Sequence, residues 1–496
     1  MLRWRLMLHL ISILWLSALL LAGCTVPHTR PTQITNGGTA GTCADFFSSL
    51  DQQIAEAGVM DSGAFRVTDY PYLRVNRFLA SFREEAMDSE AFTAWVDHMQ
   101  SLDQEGRGYE IANLPTANGS YLISADSIID LGENVVTCGN LLKALDFQHD
   151  DFREQKLKKQ VDAPDDYSLL CRILGLYPLT RVFVSMGVHS WHTEVKKSFS
   201  TKPPTEWSST CYVPEKSGKP PSIHQIIAQT RRDALGIPDY TPEDLKALFR
   251  IYAPAWEVET QDDHDRIGAP FWTREGELGV DTGNPLTYTL LSFTRFRKDI
   301  LTQLNYIIWF PSRPMENALD IYGGFLDGIN YRVTLDKTGE PLLYETIHNC
   351  GCYYMAFPTK KLQVRETIDY AESPLILQTP EVNPAGDFMT VAIKSRTHDV
   401  QHLYPLARDL QSESVAYSLA DYGQLRSLPH HKDGRASMFD RNGVVIGSER
   451  LERFILWPTG VLSPGSMRQW GRHAVAFAGT RHFDDPFFME KIFMER

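Results

Sequence analysis

Residues 320–358 read DIYGGFLDGINYRVTLDKTGEPLLYETIHNCGCYYMAFP. Residues 331–335 are rich in β-formers, Asp336-Lys337-Thr338-Gly339 carries turn chemistry with a glycine free to take positive φ, and residues 341–347 resume as a second strand. The pattern predicts a β-hairpin whose second strand delivers His348, Asn349, Cys350, Gly351 and Cys352. Alternate side chains of an extended segment share a face, so His348, Cys350 and Cys352 are expected on one side of it.

Working outward, residues 286–296 and 302–310 precede the hairpin as further strand candidates, and 362–370 and 389–395 continue the sheet. Residues 444–457 and 473–478 are two more. Before residue 279 the texture is helical. Phe46, Phe47, Leu50 and Ile54 recur at helical spacing. Residues 72–82 and 89–102 follow suit, with Phe92, Trp95, Val96 and Met99 as an apolar stripe, and 127–153 stays helical. Thr241-Pro242-Glu243-Asp244 is a helix start: threonine caps, proline fits the first turn, and the acids face the positive end. The fold class expected is α+β, a mainly helical N-terminal half followed by a mainly antiparallel β-sheet C-terminal half. The regions read as 43–221 mainly helical, 222–279 a helical connector and 280–496 β-rich, with the Pro-, Ser- and Lys-rich stretch 201–221 as an exposed loop or linker. No internal repeat and no phosphate-binding glycine loop is present.

The chain starts with basic Arg3 and Arg5, a largely apolar run to Leu21, then Leu21-Ala22-Gly23-Cys24. This resembles the signal peptide and lipobox of bacterial lipoproteins. The resemblance implies that residues 1–23 are removed and that Cys24 is acylated, palmitate included, as the mature N-terminus. It also implies an anchored body facing the periplasm, and Thr25 in place of aspartate points to the outer rather than the inner membrane. The apolar run is short for a membrane-spanning helix. Residues 24–42 (CTVPHTRPTQITNGGTAGT) then read as a lipidated flexible tether. The expected partners are the membrane through lipid at Cys24, and envelope proteins. A formal net charge of −13 argues against nucleic acid.

Beyond Cys24, the cysteines are Cys43, Cys138, Cys171, Cys211, Cys350 and Cys352. An even number outside the cytoplasm suggests disulfides. Keeping each bridge within its region pairs Cys43 with Cys138 and Cys171 with Cys211, which leaves Cys350 and Cys352 to each other.

Three functions compete. In the first, His348, Cys350 and Cys352, with His398 or His402 from SRTHDVQHLYP or Glu345 as a fourth, ligate zinc, copper or iron or form a redox site. Asp399 could orient an imidazole. In the second, Cys352, His398 and Asp421 act as nucleophile, base and orienting acid. Cys352 with the aromatic run after it resembles the cysteine segment of papain-like and transglutaminase-like enzymes, and the order Cys, His, Asp is that of the transglutaminase-like family. In that family, however, the cysteine opens a helix, whereas a strand precedes it here. In the third, the protein is a non-catalytic binding or scaffold lipoprotein. Arg468, Arg472, His473, Arg481 and His482, near Trp470, would line a pocket for an anionic ligand or else pair with Asp484 and Asp485. Two weaker clusters, His189/His192 and Asp262-Asp263-His264-Asp265, read as surface groups before they read as cation ligands.

Overall fold

The computed structural model describes residues 39–115, 125–147, 151–200, 208–215, 221–315, 317, 320–368, 371–384, 386–408, 414–430 and 434–496. Cys24 and the lipobox-like segment lie outside them.

The helices that carry the argument are α1 (Thr39–Ala57), α2 (Ser89–Ala112), α3 (Ala125–Asp146), α4 (Leu169–Leu174), α5 (Tyr177–Phe199), α6 (Pro242–Ile251) and α7 (Arg453–Leu456). The α1 stripe predicted from its spacing is buried: Phe47, Leu50 and Ile54 pack with Trp95, Val96 and Met99 of α2. The cap of α2 is Asp88, whose side chain accepts from Ala91 N. At α6, Thr241 accepts from Asp244 N, as its sequence anticipates. Residues 72–82 depart from the helical reading. Tyr70–Val75 is a strand, and only Arg77–Ala80 coils. Alternating Tyr70, Tyr72 and Arg74 here outweighs the helical spacing of the apolar residues. Arg74 is fully buried, and its charge is met by Asp103 at 3.1 Å and Glu110 at 2.7 Å, both on α2.

Eleven strands form the main sheet: β1 (Ser209–Pro214), β2 (Ala255–Glu259), β3 (Leu286–Phe296), β4 (Asp299–Arg313), β5 (Gly324–Leu335), β6 (Pro341–His348), β7 (Met355–Pro358), β8 (Leu375–Ile376), β9 (Asp387–Ile393), β10 (Val400–Ala407) and β11 (Val415–Asp421). Their order is β8-β7-β6-β5-β4-β3-β11-β1-β2-β9-β10. From β3 to β7 they run as an antiparallel meander. The sheet as a whole is mixed rather than mainly antiparallel, because β7/β8, β3/β11, β11/β1 and β2/β9 pair in parallel. The cause is topological. β1 and β2 precede the meander in sequence but lie beyond β3, so strands arriving from either side of the chain meet them through crossovers. The stretch read as a linker thus supplies a central strand, β1. Three other strand candidates do not join the sheet: of 362–370 only Leu362–Val364 is a strand, paired with Phe493–Glu495 in a separate two-stranded sheet, residues 444–457 form two isolated bridges, turns and α7, and 473–478 make only an isolated bridge, Ala474 to His482.

The predicted hairpin is β5–β6. Asp336 accepts from Thr338 N and Glu340 N, and Gly339 takes φ 87°. Alternation then sorts the side chains. Leu304, Tyr306, Ile308 and Phe310 of β4 join Ile329, Tyr331 and Val333 of β5 in one cluster, while Ile307 and Trp309 face the other side with Cys350 and Cys352. That first cluster also takes Phe357 from β7 and Val391 from β9, so the sheet curls around it. Residues Gly38–Arg496 form one compact unit. Cys43 and Cys138 are bonded, tying α1 to α3, as the regional pairing anticipates. The other two expected pairings are absent: Cys171 sits on α4 and Cys211 within β1, and these two, like Cys350 and Cys352, are free thiols. Burial among sheet neighbours and Glu257 raise the Cys211 thiol to about 11.

Candidate thiol site

β6 ends at His348, directly opposite Ile329 of β5. Beyond it the chain does not stay extended. Asn349 N donates to Gly328 O (2.8 Å), Gly351 N to His348 O (2.8 Å), and His348 N to Cys352 O (3.0 Å). The segment 348–352 is therefore a closed turn, and the alternating-face expectation is replaced by a tighter one. Gly351 sits at φ 93°, where a Cβ would lie 2.5 Å from Ala474 O. Tyr353 holds φ 58°, a region non-glycine residues seldom occupy. The turn folds the two sulfurs together, and Cys352 N approaches Cys350 Sγ at 3.4 Å.

Charge on the two thiols is uneven. The Cys352 thiol donating to Cys350 holds Cys350 below the ordinary thiol range; burial opposes this, and the charge of His348 helps. For Cys352 the same bond and burial push the other way, well above that range. Both sulfurs, with Arg313, Tyr353, Arg450 and Glu452, border a cavity of about 20 Å³, room for a single water.

A line of imidazoles and carboxylates runs back from this cavity. His348 Nδ1 is 3.7 Å from Asp327 Oδ1 on β5. The other oxygen of Asp327 accepts from His398 Nδ1 at 2.9 Å. His398 Nε2 then lies 3.5 Å from Asp265 Oδ1. His398 occupies the β9–β10 turn at φ 54°, its ring stacked on Phe310 with centroids 4.0 Å apart. Asp265 is itself oriented by Gln261 N, Arg396 N and the Ser395 hydroxyl. Burial disfavours charge on Asp327, yet the two histidines hold its carboxyl well below the usual range. Burial likewise pulls His398 down, but Asp265 and Asp327 outweigh it and raise it. At the cavity end, His348 Nε2 is buried without a hydrogen-bond partner. The arrangement is that of an oriented base: one ring nitrogen faces a carboxylate and the other is unpartnered, on a residue that lines the cavity with both thiols.

The cavity also holds an acid. Burial foremost, then the charge of Cys350, raises Glu452 to about 8, against the pull of Arg313 and Arg450. Arg450 donates to Leu326 O, and its Nη1 is buried with no partner.

The other candidates are dispersed. His402 packs its ring on Phe199, 5.3 Å between centroids, and lines no part of the cavity. Glu345 is saturated by Arg332, at 2.6 and 2.7 Å, and by the Tyr354 hydroxyl. Asp399 does not border the cavity. Asp421 is exposed at the end of β11 and caps the turn at Gly423 N, so the acid facing His398 is Asp327 instead. Arg468, Arg472, His473, Arg481 and His482 do not line one pocket. Arg468 N and His473 Nε2 both meet Asn349 O, and Arg468 Nε reaches Cys350 O, so these two clamp the thiol turn from behind. Arg472 lies 3.3 Å from Asp166, His482 3.1 Å from Asp165, and Arg481 3.5 Å from Glu372. Asp484 and Asp485 are taken by Arg77 and Lys491. On α5, His192 is pushed down to about 4 by burial and Lys196, while His189 stands exposed. Of the acidic quartet, Asp265 alone belongs to the site. Sequence reasoning missed Asp327 and Glu452, which stand in no motif. Among the described residues, no group of three or more His, Cys, Asp or Glu is positioned to hold a metal ion.

No family model, no curated protein and no solved structure matches the chain.

Proposed function

We propose that the protein is a thiol-dependent enzyme in which Cys350 is the nucleophile, His348 the base, and Asp327 the carboxylate that orients it. The observation that carries this reading is the buried, unpartnered His348 Nε2 on a residue that lines the same small cavity as Cys350, a thiol whose ionisation is favoured. The chemistry is acyl transfer. The Cys350 thiolate attacks an acyl carbon, a C–S bond forms and the bond to the leaving group breaks, and the leaving group takes a proton from the imidazolium of His348. Water then gives a proton back to His348 as it attacks the thioester, releasing the acid and restoring thiolate and imidazolium. Glu452, protonated at neutral pH, supplies a second proton donor at the same cavity. The lipobox-like sequence supports an anchored location facing the periplasm, with the catalytic body in an oxidising compartment.

A second reading, dithiol redox chemistry, is favoured by one observation, two free thiols held together in one tight Cys-Gly-Cys turn. Metal binding at these thiols is the third.

Titration of thiolate ultraviolet absorbance separates the readings. The wild type is expected to ionise one thiol below the ordinary range. Cys350→Ser removes that step, and Cys352→Ala moves it up because the donor to the thiolate is lost. An activated ester should leave an acyl group on Cys350, seen by mass. A wild type with no early thiolate would remove the nucleophile reading. Early ionisation with no acyl adduct, but with a mass loss of two hydrogen atoms as oxidised glutathione is reduced to two thiols, would replace it with the redox one. Stoichiometric metal in chelator-free protein, lost in Cys350→Ser, would replace it with the metal site.

A further inference from the structure

Helices α4 and α5 contain no buried residue. The C-terminal half of α5 is seated, since Trp191, Val195 and Phe199 pack against the main core. The outer faces of its first half and of α4 stand clear. Leu169 is 70% exposed, Leu179 65% and Phe183 75%, and Ile173, Leu176 and Met186 are exposed to a similar degree. The elbow is rigidly joined to the turn after α7: Ser168 N donates to Gly460 O at 2.7 Å, and Arg172 Nε to Thr459 O at 2.7 Å. That neighbouring segment exposes Phe454, Ile455 and Trp457. Large contiguous apolar surfaces are uncommon on soluble proteins and mark contact sites.

Charge narrows the partner. From residue 167 to 193 the chain has no Asp or Glu, but it has Arg172 and Arg181; from 453 to 483 it has none either, and of its four arginines Arg453 lies over the exposed Phe454 ring while Arg468 and Arg481 are buried. The whole chain is at −13. An acidic protein has thus kept one apolar face whose own segments carry no acid and whose cations are Arg181 and Arg453, which suits anionic headgroups around an acyl interior. A second copy fits less well, because a two-fold contact would set this basic face against itself. We propose that the α4–α5 elbow and α7 form a docking face for an anionic lipid bilayer, into which the leucines and Phe183 insert without spanning it. This is separate from the lipid implied at Cys24, and it does not depend on the thiol reading.

The test is flotation of residues 39–496, which form a compact unit, with vesicles of equal parts phosphatidylethanolamine and phosphatidylglycerol. Wild type is expected to float, and less so on pure phosphatidylcholine. Phe183→Glu with Met186→Glu should cut the bound fraction by about tenfold or more. Both side chains are exposed, so the melting temperature should hold, and Phe271→Glu at another exposed site should float like wild type. Failure of wild type to float, equal flotation of the double variant, or equal binding to phosphatidylcholine would overturn the proposal. So would a wild-type dimer that the double variant splits while neither floats.

Discussion

Glu452 is the residue at which the cavity meets stability. Its carboxyl titrates near 4.5 in an open chain and about 8 in the fold, because burial and the neighbouring thiolate disfavour its charge. Below about 4.5 both states hold the proton. Above it the unfolded chain releases the proton while the folded chain keeps it, so stability falls as pH rises to about 8, and the slope then ends. Glu452→Gln is expected to remove that slope. Urea midpoints compared across this window should favour the variant increasingly toward the alkaline end; parallel curves would mean that Glu452 is already ionised in the fold. The raised carboxyl and the lowered thiol are linked, since after burial the Cys350 charge contributes most to raising Glu452. Cys350→Ser should therefore flatten part of the same slope.

At the scale of the element, the hairpin and the turn after it behave differently. β5 and β6 were legible because period-two alternation and Asp-x-Thr-Gly turn chemistry are local. The turn at 348–352 was not, because β-forming alternation up to His348 carries no local sign of a stop, whereas Gly351 at positive φ reverses the chain there. Nor was the orienting carboxylate legible. Asp327 and His398 are 71 residues apart and meet only because the β9–β10 turn reaches β5. Asp421 suited the order Cys, His, Asp, but β11 ends elsewhere. Gly351→Ala tests the turn directly. A side chain at this φ costs about 1–3 kcal/mol, and its Cβ would press on Ala474 O at 2.5 Å. The variant should lose stability by that order in urea unfolding. Its early thiolate step should also move up toward the ordinary range as the two sulfurs separate. A stable Gly351→Ala with unchanged thiol titration would mean that the turn can move without disturbing the pair.

The whole molecule shows why regional reading recovered the composition of the fold and not its topology. Helices do dominate early and strands late, but β1 and β2 come from segments read as linker and connector and lie at the heart of the sheet. Strand order is decided by which apolar faces close around the curled core, and that long-range condition leaves no local mark. The disulfide is the counterexample: a regional argument found Cys43–Cys138, because α1 and α3 both pack on α2 and on the strand that carries Arg74. This bridge closes a sequence separation of 95 residues. A loop of that size restricts the unfolded chain by an amount equivalent to about 4–5 kcal/mol in the chain-entropy view, and native bridges commonly deliver about 2–5 kcal/mol. Cys43→Ser with Cys138→Ser is expected to lose stability in that range by urea unfolding. Because the effect acts largely through the unfolded chain, the folded variant should keep the Cys350 titration of the wild type. A loss under about 1 kcal/mol would assign the hold on α1 to Phe47, Leu50 and Ile54 packed on α2, since burying side chains of this kind is worth about 1.5–3 kcal/mol each. A shifted thiol titration would instead mean that the helical half and the thiol turn are mechanically coupled. The contact to examine then would be Arg77, which joins the short helix after the Tyr70–Val75 strand to Asp484 and to Gly471 O near the clamp residue His473.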